Sequence, residues 1–151
     1  MLLTLPFLVQ GVIITLDEFI FHVRRDLPKW ERIGHPLDTL TVLLCIGFVL
    51  IAPYSALMLK VYIGMALFSC LFVTKDEFVH KHHCPASEQW LHAILFLNHP
   101  VLLTALGLIW AHPTPFLILF LKIQAGLVTL FGLYQVIYWN FYHGRKHIAH
   151  Q

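Results

Sequence analysis

Residues 89–121 read QWLHAILFLNHPVLLTALGLIWAHPTPFLILFL and contain no Lys, Arg, Asp or Glu. A helix crosses the bilayer core in about 20 residues, so this run is too long for one crossing. His112-Pro113-Thr114-Pro115 cuts it, because proline lacks the backbone donor a helix interior needs and constrains the residue before it. The cut predicts helices over about 87–111 and 116–143, with Pro100 kinking the first.

The same reading extends toward the N-terminus. Residues 2–16 are apolar apart from Thr4, Gln10 and Thr15, and run straight into Asp17-Glu18. A cleaved signal peptide would open on basic residues and close on small ones, so this stretch reads as a retained helix over about 3–24. Helices two and three follow at about 29–52 and 55–82, with Ala52-Pro53-Tyr54-Ser55 as the turn between them. Cys84-Pro85-Ala86-Ser87 turns the chain again, and Ser55 and Ser87 are the expected helix caps. The chain, 1–151, is thus expected to be one all-α integral membrane domain, a bundle of five transmembrane helices. Composition agrees: 58% of residues are hydrophobic and 12% charged, where a soluble domain carries about a quarter charged.

Alternating crossings place Arg24, Arg25, Lys29, Arg32, Lys75, Lys81, Arg145 and Lys146 on one side. Only Lys60 and Lys122 fall on the other, just inside their helices, where long stems snorkel to the interface. The positive-inside rule then predicts a cytoplasmic basic side, an external N-terminus and a cytoplasmic C-terminus. Every acidic residue, and every histidine but His112, falls on that same side or near mid-membrane. The net charge of +2 creates no broad basic field, and no nucleic-acid partner is expected.

The acids and histidines recur in a pattern. Glu31, His35 and Asp38 are spaced four and three apart and share a helical face. Glu88 and His92 repeat the four-residue step at the start of a later apolar run. Asp17-Glu18-Phe19 with His22 precedes the first copy, and Asp76-Glu77-Phe78 with His80 precedes the second. The first four helices therefore read as two related hairpins delivering ligands to one end. So many buried carboxylates at one depth require compensating cations, and the nearby Lys and Arg belong mostly to loops.

Metal ions meet that need. The candidate ligands are Glu18, His22, Glu31, His35, Asp38, Asp76, Glu77, His80, His83, Glu88 and His92. Only one member of each Asp-Glu pair should face the bundle centre; on the first helix Glu18 shares its face with His22, while Asp76 and Glu77 both remain candidates. Carboxylates with imidazoles and without thiolates suit iron, manganese or zinc. Four helices presenting Glu and His inward is the way bundles build dinuclear centres, so two divalent ions are expected, with iron favoured. Cys45 and Cys70 lie in apolar runs and read as small buried hydrophobes. His99 is either a deep ligand or a pocket-lining residue. Tyr134, Tyr138, Trp139 and Tyr142 read as an interfacial aromatic belt, with Tyr138 or Asn140 available to close the site from the fifth helix.

The function these features predict is a membrane-embedded dinuclear metal oxidoreductase, di-iron by preference, acting on a lipid-like or quinone-like apolar substrate that enters from the membrane lipid. The alternatives are a zinc-dependent intramembrane hydrolase and a divalent-metal transporter or sensor. Acids confined to one half of the membrane argue against transport. No motif specifies an oligomer, and a bundle this small leaves room for a homodimer.

Overall fold

A computed structural model describes residues 2–22, 29–76 and 86–143. Helix α1 spans Leu5–Leu16 after a 3-10 turn at Leu2–Thr4, and continues as a π-helical turn over Asp17–Phe21. Helix α2 is Lys29–Ile51; α3 is Ala56–Val73, followed by a 3-10 turn at Thr74–Asp76. Helix α4 is Ala86–Ala111, and α5 is Pro115–Ile137, ending in a second π-helical stretch over Tyr138–His143. No strand occurs among the described residues, and all five helices are long and apolar enough to cross a membrane. The expected helical continuation of α3 to residue 82 falls outside the described residues beyond Asp76.

Local chemistry sets the helix starts. Ser55 Oγ accepts the Met58 amide at 3.3 Å, capping α3 as its sequence position predicts. Thr114 Oγ1 accepts the Leu117 amide at 3.3 Å, with Pro115 in the first helical position, where a missing donor costs nothing. Helix α4 opens at Ala86, which puts Ser87 inside its first turn. Pro36 and Pro100 sit within helices that continue through them.

The helices close into a ring in the order α1, α4, α3, α2, α5. Phe7 against Phe120 at 5.4 Å and Phe19 against Tyr134 at 6.3 Å bring α5 back to α1. Of the two hairpins read from sequence, α3 and α4 pack along each other. The main partner of α1 is instead α4, and that of α2 is α5. Helix α1 meets α2 at the acidic end, where the His22 and His35 rings stand 4.8 Å apart.

Three layers follow along the bundle axis. The end away from the acids holds the apolar core, built on Ile46, Val49, Leu102, Leu106, Ile109, Trp110 and Leu121. There Trp110 Nε1 donates to Ala52 O at 2.9 Å and the Tyr62 hydroxyl to Leu103 O, so both polar handles are satisfied. The middle layer is neutral and hydrogen-bonded. Asn98 Nδ2 donates to Gln10 Oε1 and Pro6 O, both at 2.9 Å, and Thr39 Oγ1 donates to Gln135 Oε1 at 2.8 Å. These bonds tie α1 to α4 and α2 to α5. The third layer is the charged end.

Candidate metal centre

The π-helical turn determines what α1 delivers. The His22 amide bonds to Asp17 O, five residues back, as well as to Glu18 O. One extra residue in the turn changes which side chains face inward. An ordinary α-helix would aim either Asp17 or Glu18 at the bundle centre, as the sequence reading assumed. The widened turn buries both, at 6% and 2% exposure, together with His22 at 2%. Asp17 is therefore a site residue that spacing rules favouring Glu18 passed over.

Helix α4 meets this turn with its first two turns. Glu88 and His92, four residues apart, are 1% and 5% exposed. His22 Nε2 lies 3.4 Å from Asp17 Oδ2 and 3.6 Å from Glu88 Oε1. His92 Nε2 lies 3.1 Å from the same Asp17 oxygen. Two ligands each about 2.1 Å from one tetrahedral ion stand about 3.4 Å apart. One ligand atom from each of Asp17, His22, Glu88 and His92 lies within 4.8 Å of the other three, a grouping that could hold a metal ion. Asp17 Oδ1 and both His22 nitrogens have no hydrogen-bond partner among the described residues. Buried polar atoms are rarely left so, and a bound cation is one way to satisfy them.

A second group shares His22. Glu31, fully buried in the first turn of α2, and His35 one turn on bring ligand atoms within the same 4.8 Å limit of His22. The four-residue spacing read from sequence does place both on the inward face.

Glu18 stands one step behind. Its Oε2 is 3.5 Å from His22 Nδ1, the nitrogen opposite the one facing Asp17 and Glu88. Its Oε1 accepts the indole N–H of Trp139 at 2.7 Å. At 3.5 Å the approach to His22 is an electrostatic contact, and a carboxylate placed behind a ligating histidine in this way biases its ring orientation. Trp139, 1% exposed, in turn fixes the carboxylate. It brings the C-terminal end of the fifth span against the site, and its buried indole is apart from any interfacial belt. The Asn140 amide bonds to Val136 O of its own helix. The π-helical stretch at Tyr138–His143 changes which residues turn inward there, which a regular helical reading misses.

The remaining candidates lie elsewhere. Asp38 forms an ion pair with Lys75, whose Nζ donates to Oδ1 at 2.7 Å and Oδ2 at 2.6 Å. It is outside both ligand groups. His99 Nε2 is 2.9 Å from Ser69 Oγ, in the neutral middle layer. Glu77, His80 and His83 lie outside the described residues, as does the side chain of Asp76. Cys45 and Cys70 are free thiols away from the cluster, so the donor set is carboxylate and imidazole, suited to borderline divalent ions. Comparisons with protein-family models, curated proteins and solved structures give no match, so this donor set and its burial are what bear on function.

Proposed function

We propose that the protein is a membrane-embedded oxidoreductase holding two divalent metal ions, iron by preference. The proposed substrate is a lipid-like or quinone-like molecule arriving through the bilayer. One observation carries this reading: Asp17, His22, Glu88 and His92 converge, buried, inside helices whose outer faces are apolar. The nearness of Glu31 and His35 to His22 supports a second ion beside the first, held by those two side chains. A carboxylate-rich set of this kind suits a metal pair that takes up and returns electrons.

The chain's own residues would do the following. Asp17, Glu88 and His92 hold one ion with His22 Nε2, while Glu31 and His35 hold the other. Glu18 keeps the His22 ring oriented, and the surrounding apolar packing excludes water. The basic residues at this end favour a cytoplasmic site and an external N-terminus by the positive-inside rule. A zinc hydrolase would need a carboxylate placed as general base toward the substrate, whereas Glu18, outside both ligand groups, faces His22 and Trp139. A transport path would need polar groups through the far end, where the core is Ile, Val, Leu and Trp.

Elemental analysis of the purified protein tests the reading. Stoichiometric iron near two per chain is expected, lost in the Glu31→Ala/Glu88→Ala double variant. Colourless protein carrying zinc alone would move the assignment to hydrolysis. Metal content unchanged in the double variant would remove the site.

A further inference from the structure

We propose that Trp139, Tyr138 and Tyr142 form an electron-transfer route between the buried metal centre and the lipid boundary at the same end of the bundle. This rests on the redox reading of the centre and adds the path by which its electrons arrive. The route begins at the 2.7 Å hydrogen bond from Trp139 Nε1 to Glu18 Oε1. The Trp139 and Tyr138 rings are 5.0 Å apart, edge to face, and Tyr138 stacks on Tyr142 at 5.9 Å. Tyr142 is 60% exposed, whereas Trp139 is 1% exposed. Indole and phenol are the most readily oxidised rings among the side chains. Here they stand in unbroken contact from a site carboxylate to the surface. An interfacial belt explains Tyr142 and part of Tyr138, but it does not explain a fully buried indole aimed at Glu18.

The transfer balances locally. With an oxidised metal ion bound, Trp139 would supply it one electron, and the Nε1 proton would pass to Glu18 Oε1. Tyr138 returns an electron to the indole, and the proton held by Glu18 goes back to Nε1. Tyr138 gives its phenolic proton to water at the lipid boundary as it is oxidised, and regains a proton together with an electron from Tyr142. Tyr142 is restored by a hydroquinone arriving from the bilayer, which loses one electron and one proton per passage and ends, after two passages, as the quinone. The donor meets a shallow apolar groove lined by Tyr134, Ile137, Tyr138 and Tyr142.

The test uses the full-length protein loaded with ferrous iron and treated with hydrogen peroxide. Tyrosyl and tryptophanyl radicals are followed by electron paramagnetic resonance, and oxidised side chains are mapped by peptide mass spectrometry. Wild type is expected to give oxidation at Trp139 and Tyr142 that depends on iron. Tyr138→Phe leaves the indole–Glu18 bond intact, so it should keep its iron and its Trp139 oxidation while Tyr142 oxidation is lost. Added hydroquinone should erase the tyrosyl signal in wild type. Tyr142 oxidation unchanged in Tyr138→Phe, or equal in iron-free protein, overturns the route while leaving the metal reading intact. A protein that binds iron but shows no ring oxidation does the same. Absence of bound iron overturns both.

Discussion

The two ends of the bundle solve the same packing problem in opposite ways. At one end Ile46, Leu106, Ile109 and Leu121 fill the space between helices with apolar volume, and Trp110 and Tyr62 tie off their polar atoms on backbone carbonyls. At the other, the equivalent space holds Asp17, Glu18, Glu31 and Glu88, none more than 6% exposed, around three imidazoles. Four buried carboxylates crowded at one end repel one another unless cations compensate them, so packing alone gives no reason for the acidic end. The difference teaches that apolar packing is concentrated at one end and titratable side chains at the other.

The sharpest way to break this contrast is to perturb each end in turn. Leu106→Ala should lower unfolding stability by about 2–5 kcal/mol while leaving metal content unchanged, as read by thermal unfolding and elemental analysis in detergent. Glu88→Gln should do the reverse, abolishing stoichiometric metal while the metal-free protein melts no lower than wild type. A marked loss of apo stability in Glu88→Gln would mean that the acids are structural.

Smaller effects sharpen the boundary. Trp139→Phe removes the donor to Glu18 and should weaken metal affinity by less than the roughly 10–100-fold expected for loss of Glu18 itself, as measured by competition with a chelator. Gly107→Ala sets a methyl group 3.1 Å from Tyr62 Cε1, at the apolar end. It should cost about 1–3 kcal/mol by overpacking and leave the metal untouched. Lys75→Met breaks the pair with Asp38, which is partly exposed. Its expected cost is about 1 kcal/mol or less, with no change in metal content, because Asp38 stands outside both ligand groups.

Much of this architecture is legible in the chain. The five helices follow from uncharged runs cut by prolines, and the inward face of Glu31–His35 and Glu88–His92 follows from four-residue spacing. What the chain conceals is tertiary or depends on irregular backbone. Asp38 fits the ligand pattern on α2, but a lysine from the end of α3 reaches it, and no local rule pairs residues 38 and 75. Trp139 looks like a belt residue until the π-helical end of α5 turns it toward Glu18. The pairing of α1 with α4 likewise has no signature in the repeat, which suggests sequential hairpins.

The π-helical turn at Asp17–Phe21 couples the ligands to the whole of α1. The surplus residue sets the phase between the acids and the apolar stripe that precedes them. Deleting one residue from that turn would restore ordinary helical winding and rotate Phe7 and Ile13 by about 100° relative to His22. Either the acids or the core-facing stripe would then point the wrong way. Point substitutions along the stripe leave that phase intact, so in this segment chain length is a stricter requirement than side-chain identity.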